Sequence, residues 1–340
     1  MRIGFIGAGA MARRHVESLR RRPGVEIAVI CDIDAARAAE LAHAVGADSA
    51  TDWKSMLATS ELDAAFICSP PAQHVDPAVA SLERGLAVYL EKPLARSLDD
   101  GRRIVDAWRS SGAVCAVGYQ WRSLDLLAPL HVALGGTVPG MLVSRGFGPT
   151  ERGRDDRAVT GAGPSGSWFV DPARSGGILF ELASHDIDLQ CAIAGPVRSV
   201  QASSASGLLA LAGAPASGLD DAVALTLHFE SGTIGSILVA WTEAQDPPRY
   251  ALDLLSAEIA LELRCEPVFR LDGRARGETV AELGQTDPRE STLDRFLEAV
   301  QHGDRERVAC SPADAFGTLA TASACEQAIA SGATVRVAAL

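Results

Sequence analysis

A buried strand that runs straight into a glycine pair leaves a chain few ways to fold. Here Arg2-Ile3-Gly4-Phe5-Ile6 leads directly into Gly7-Ala8-Gly9-Ala10-Met11-Ala12. This is the G-x-G-x-x-G/A fingerprint with alanine in the third place. Gly7 permits the tight turn, Gly9 lets the backbone approach a pyrophosphate, and Ala12 lets helix and strand pack closely. A helix follows from about Ala10 to Arg21, and its first amides, those of Ala10 and Met11 among them, favour an anion. A glycine-rich turn by itself is a weak signal, but the context strengthens it. A second strand, Val25 to Cys31, ends in Asp32, twenty residues past Ala12. An acid there accepts hydrogen bonds from the adenine ribose and repels a 2′-phosphate, although it also suits a cap for the helix starting near Asp34. The spacing favours NAD over NADP. Ile33 adjoins the acid, and Arg37 is near enough to accommodate a phosphate.

Strand and helix go on alternating. Ala64 to Cys68 reads as a strand, Ser69-Pro70-Pro71-Ala72-Gln73-His74 as the loop at its end, and a helix runs on to about Arg84. Ala87-Val88-Tyr89-Leu90 is an apolar run of the kind that is buried on both faces of a parallel sheet, and it ends in Glu91-Lys92-Pro93. Ser97 is a good cap for the next helix, with Asp100 three residues on. A last strand is Ala113 to Val117. Alternation of this kind makes a doubly wound parallel sheet with ligands at the carboxyl ends of its strands. Residues 1–120 form this first domain. Glu91 and Lys92 stand at such an end, where they are either an ordinary polar cap or groups that reach a bound small molecule. Ser69, Pro70 and His74 stand at the neighbouring end, on the cofactor side.

The chain of 340 residues is long enough for a second core. With 47% hydrophobic and 22% charged residues, and no apolar run of spanning length, it reads as a soluble cytoplasmic protein that makes no membrane contact. A net charge of −12 and the lack of a basic stripe argue against nucleic acid. The seven cysteines are scattered, so neither a disulfide nor a metal site is expected.

The alternation stops after Gly118-Tyr119-Gln120-Trp121-Arg122, and residues 121–340 read as a second domain. A helix from Leu124 to Leu134 and a strand around Met141 to Gly146 come first. A long Gly-, Pro-, Arg- and Asp-rich loop then runs from Phe147 to Ser167 and ends at Trp168. A helical stretch follows from Leu179 to Ala194. Glu181, His185 and Asp188 fall at i, i+4 and i+7 on it and so share a face. That face is either a solvated polar one or a histidine held between two carboxylates. Later runs (Ala222 to Phe229, Thr233 to Trp241, Tyr250 to Leu255, Glu258 to Leu263) read as consecutive strands of a largely antiparallel sheet, with turns at Ser231-Gly232 and Leu271-Asp272-Gly273. Ser203 to Gly218 reads as a loop, and two helices, Thr292 to Gln301 and Pro312 to Ala330, close the chain before a strand at Thr334 to Ala338.

Taken together, the chain resembles the glucose–fructose oxidoreductase / inositol dehydrogenase / MocA family of NAD(P)-dependent oxidoreductases. The resemblance rests on Gly7-x-Gly9-x-x-Ala12-x-x-His15, Asp32, Ser69-Pro70 with His74, and Glu91-Lys92-Pro93. It continues through Trp168-x-x-Asp171-Pro172, Ser175-Gly176-Gly177 and His185-x-x-Asp188-Leu189. It implies a second domain with an open, mainly antiparallel sheet whose outer face makes a homodimer or homotetramer. It also implies Lys92 and His185 as a catalytic pair, with Glu181 and Asp188 beside them and Arg122 and Trp168 as substrate contacts. Glu181 is a departure, because many members carry aspartate there. The implied reaction passes a hydride between nicotinamide and a secondary alcohol of a sugar, inositol or related polyol. Reduction of a ketosugar or nucleotide-linked sugar, and an NAD-binding sensor without chemistry, are the alternatives.

Overall fold

The computed structural model describes residues 1–149, 175–208, 220–242, 244–245 and 247–340. They form two compact units, one of Met1–Tyr119 with Thr292–Phe316, the other of Gln120–Ser291 with Gly317–Leu340.

The first unit is built on a six-stranded sheet of β1 (Arg2–Ile6), β2 (Glu26–Cys31), β3 (Asp48–Ala50), β4 (Ala64–Ile67), β5 (Ala87–Leu90) and β6 (Cys115–Val117). The order is β3-β2-β1-β4-β5-β6 and every pairing is parallel. That is the doubly wound order, in which the winding of the chain reverses between β1 and β4 and opens a crevice there. The crossovers are α1 (Ala10–Leu19), α2 (Ala35–Val45), α3 (Trp53–Thr59), α4 (Val75–Glu83) and α5 (Leu98–Ser111). Their starts follow local chemistry. Asp34 caps α2 through the amides of Ala36 and Arg37, and Ser97 caps α5 through the amide of Asp100.

Aromatic rings fill the core of this unit. Phe66 stacks between Phe5 (centroids 5.0 Å apart) and Tyr89 (4.8 Å), and Phe296 stands edge-on to Phe66 and Tyr89. Phe296 belongs to α8 (Pro288–His302), so this late helix closes the first core, although the boundary at 120/121 assigns it to the second domain. Phe296 is fully buried, and losing such a ring typically costs about 3–5 kcal/mol.

The second unit carries a nine-stranded sheet, ordered β14-β13-β12-β11-β7-β10-β9-β8-β15. Its strands are β7 (Met141–Gly148), β8 (Val197–Ala205), β9 (Ala222–Phe229), β10 (Ile234–Trp241), β11 (Arg249–Leu255), β12 (Ile259–Glu266), β13 (Arg270–Ala275), β14 (Glu278–Leu283) and β15 (Val335–Arg336). Only the β7–β10 pairing is parallel. Its helices are α6 (Leu127–Leu134), α7 (Ser184–Ala194) and most of α9 (Pro312–Ser331).

Two sequence expectations change. Leu271-Asp272-Gly273 is not a turn but lies within β13. A side chain at Gly273 would collide with the Ala260 carbonyl, and the reversal falls at Arg276-Gly277 instead. Ser203 to Ala205 continue β8 rather than start a loop. Among the described residues no helix is long and apolar enough to cross a membrane.

Candidate active site

In the first unit the glycine turn has the form a dinucleotide needs. Gly7 has φ +100°, and a Cβ there would sit 2.7 Å from the Cys68 carbonyl group, so no side chain fits. Gly9 begins α1 without any side-chain cap, and its missing Cβ faces open space. The first amides of α1 therefore lie at an opening that an anion can enter. Ala10 is exposed and Met11 half-buried at the same turn.

At the end of β2 the Asp32 carboxylate is already engaged. One oxygen accepts the Ala8 amide at 2.8 Å, and the other accepts the Asp34 amide and Arg37 Nη2 at 2.8 and 2.9 Å. A carboxylate offers about four lone-pair positions, so one remains for a ribose hydroxyl. Arg37 is held by Asp32 and by Asp34 at 3.4 Å. Ile33 is 83% exposed beside the acid, an apolar surface suited to a flat base.

His74 is internal. It is fully buried, with Nδ1 2.9 Å from the Pro93 carbonyl and Nε2 2.8 Å from the Ser69 carbonyl. His74 ties the loop after β4 to the loop after β5. Burial lowers its pKa, against the pull of those carbonyls and of Glu91. Ser69 and Pro70 are half-buried on the same loop, where Ser69 Oγ donates to the Gln73 carbonyl.

Glu91 is likewise internal. Its Oε1 lies 2.6 Å from His15 Nε2 of α1, and its Oε2 accepts the Lys92 amide at 3.3 Å. Burial raises its pKa, but the His15 hydrogen bond and the charges of His15, Lys92 and His74 outweigh this and hold it below the usual range. Glu91 therefore fixes the backbone of Lys92 against the fingerprint helix. The Lys92–Pro93 peptide bond is cis, and Lys92 is half-buried. Sequence reading gave His15 no role beyond the motif, because its partner lies 76 residues away.

In the second unit one π-turn, Leu179–Ala183, runs into α7. Insertions of this kind are frequent at functional sites. Glu181 lies in that turn and His185 in the first turn of α7, both half-buried. The His185 imidazole packs on Trp121, with ring centroids 5.3 Å apart. Asp188 is 1% exposed and accepts from Arg122 Nε at 2.8 Å and Thr318 Oγ1 at 3.0 Å. Asp188 is thus an internal anchor of α7, and Arg122 is its ion-pair partner. Removing one member of a pair buried this deeply costs about 3–5 kcal/mol. Trp168, with Asp171 and Pro172, lies outside the described residues.

Asp186 faces the other way, into the packing of α7 on the sheet, and gave no sequence signal. Burial pushes its carboxyl up to about 7, against hydrogen bonds from Ser144 and from its own backbone. Its Oδ2 has no hydrogen-bond partner among the described residues. Because the folded pKa is raised above the unfolded one, folding favours the protonated form. The penalty grows as pH rises from about 4 to about 7 and is then constant, on the order of 4 kcal/mol in full. Asp186→Asn is therefore expected to gain stability over the parent at about pH 8 but little at about pH 4. Denaturant midpoints at the two pH values check this, and an equal shift at both would remove the explanation.

Known proteins resemble the chain in both of its parts. Residues 1–119 match the oxidoreductase family with an NAD-binding Rossmann fold, and residues 151–259 match the GFO/IDH/MocA C-terminal domain. The chain is 29% identical over 242 residues to 4-carboxy-2-hydroxymuconate-6-semialdehyde dehydrogenase of Sphingobium sp., covering 71% of this chain and 72% of that one. It is 36% identical over 124 residues to inositol 2-dehydrogenase 3 of Saccharopolyspora erythraea, covering 36% and 37%. A solved levoglucosan dehydrogenase in complex with NADH and L-sorbose has the same fold, with TM-score 0.82, 20% identity and coverage of 100% and 99%. With both units matched in order along the chain, the protein belongs to the Gfo/Idh/MocA family of NAD(P)-dependent oxidoreductases, and its first unit is an NAD-binding one.

Proposed function

We propose that the protein reversibly oxidises a secondary alcohol of a sugar, inositol or related polyol, with Lys92 and His185 acting on the reacting oxygen. The observation that carries this is the tether of Lys92. The lysine leaves the carboxyl end of β5, and the Glu91–His15 pair binds its backbone to α1, the helix that follows the glycine turn. The names of relatives, an inositol dehydrogenase and a levoglucosan dehydrogenase, support the substrate class. The bound nicotinamide supplies the acceptor for the hydride that leaves the carbinol carbon. His185 takes the hydroxyl proton in oxidation and returns it in reduction. Lys92 donates a hydrogen bond to the oxygen as negative charge develops. Glu181, in the π-turn before His185, is the group placed to bind a neighbouring hydroxyl. Asp188, pinned by Arg122 and Thr318, fixes the helix that carries the imidazole.

The test is a panel of inositols, hexoses, amino sugars and a semialdehyde acid, each mixed with NAD⁺ and followed by the absorbance of reduced nicotinamide. At least one polyol is expected to give turnover. Tight NADH binding with no turnover in either direction would mark the protein as a nicotinamide sensor.

Preference for NAD over NADP follows from Asp32 and Arg37. A charge-assisted hydrogen bond is worth about 1.5–3 kcal/mol, so Asp32→Ser is expected to weaken NAD binding roughly 10- to 100-fold. The same change removes a partner of Arg37 and should improve NADP binding. Fluorescence titration with both cofactors reads this out, and unchanged preference would dismiss the role of Asp32.

Assembly follows the second sheet. Met141 lies in register with Ile234 and Leu255, all exposed, so they form an apolar row on one face. A second copy of the chain covers that row in a homo-oligomer.

A further inference from the structure

We propose that Trp121 is a positioning residue for His185, orienting its imidazole and favouring the charged form that exists while it holds the substrate's proton. The inference rests on the reading of His185 as the base and adds a residue to it. Trp121 lies in the short 3₁₀ turn Gln120–Ser123 and is 8% exposed. Its ring contacts the His185 imidazole with planes inclined at 50°. It also contacts Tyr250, at 5.6 Å and 56°. Tyr250 in turn lies over Gly146 of β7, where a Cβ would come within 2.5 Å of its ring. A side chain at Gly146 would lift Tyr250 and, with it, Trp121. The imidazole therefore rests on a column of two aromatic rings founded on bare backbone.

The turn is tied to α7 at a second point, since Arg122, next to Trp121, pairs with Asp188, three residues on from His185. Two adjacent residues of one turn thus grip one helix at positions one turn apart. Rotation of the imidazole about its side-chain bonds is restricted on the Trp121 side. A cation within about 6 Å of an indole centroid is stabilised by the ring's electron-rich face. Tilt moderates that effect without abolishing it. Among the described residues of this unit, the charged groups on the elements that carry or face the imidazole are Glu181 in the π-turn, Asp188 and the oppositely directed Asp186 on α7, and Arg122 in the facing turn. A substitution at Trp121 leaves the charge of each of these groups unchanged, so the indole's share can be isolated.

The experiment is an NMR titration of the histidine ring signals of the full chain, with the His185 signal identified by its loss in His185→Gln. Parent, Trp121→Phe, Trp121→Leu and Trp121→Met are compared, the last filling volume without an aromatic face. In the parent the His185 signal should carry a ring-current shift. Leu and Met variants should lose that shift and titrate lower by about half a unit to one unit, with Phe intermediate. The corresponding limb of the kcat–pH profile should move in parallel while the dissociation constant for NADH stays the same. An NMR titration that does not move in a folded Leu or Met variant overturns the proposal. If the NMR titration moves and the kcat limb does not, the role of Trp121 stands and the assignment of His185 as base falls. Should neither Leu nor Met fold, the Phe variant decides: an unchanged signal there overturns the proposal.

Discussion

Replacing His185 with alanine is expected to lower kcat by at least about two orders of magnitude while NADH binding survives. General acid–base assistance typically contributes a factor of ~10²–10⁴, and the imidazole is the group assigned to the hydroxyl proton. The site around it is built for orientation. The π-turn sets Glu181 before it, Trp121 packs on its ring, and Asp188 one turn later is held by Arg122 and Thr318. Truncation at this half-buried position removes the ring contact with Trp121 but leaves the π-turn and the Asp188 anchor in place, so the loss should appear in kcat more than in folding. The direction of reaction sharpens the test. In oxidation the variant must release the hydroxyl proton to solvent, so its residual rate should climb steadily with pH where the parent levels off. Turnover within a few-fold of the parent would end the assignment.

The sequence made some parts of this legible and not others, and the difference is physical. Gly7 was readable because a positive φ and a 2.7 Å approach of the Cys68 carbonyl leave only one residue type for that place. Asp32 and five of the six parallel strands were readable because the fingerprint fixes a spacing and burial on both faces fixes a composition, whereas β3 is three residues long, largely exposed and carries no apolar run. Glu181 and His185 could be placed on one helix from their spacing alone. What the spacing does not encode is the partner across the fold. Asp188 and Asp186 sit two positions apart, yet one is pinned by Arg122 and Thr318 while the other presses on the sheet beside Ser144. Either looks like an exposed acid in the string. His74 and Glu91 read as ligand contacts because both stand at strand ends. Each is internal, since the loops they join must first be fixed to one another. The return of α8 to the first core had no local signal either, because an apolar helix face does not say which sheet it will cover. Phe296 joins that core by meeting Phe66 and Tyr89 edge-on.

Lys92→Met is expected to cost about 10²–10³ in kcat, the loss typical when a single donor to a developing oxyanion is removed. Methionine keeps the length and apolar stem of lysine, so the packing beside Pro93 and Leu94 should persist. The buried His15–Glu91 pair keeps the backbone in place, since Glu91 accepts the amide of residue 92, a bond that a change of side chain leaves available. Lys92→Arg should restore little. An ammonium is a compact point charge, whereas a guanidinium is a planar fork that needs more room and a different line of approach. The decisive measurement combines the two sites. If residues 92 and 185 act on the same oxygen, removing either already forfeits most of what the other contributes. The double variant should then be far less impaired than the product of the single losses. Strict multiplication of the two losses would mean that the groups act on separate steps. Loss of NADH binding in Lys92→Met would instead place the lysine on the cofactor and away from the chemistry.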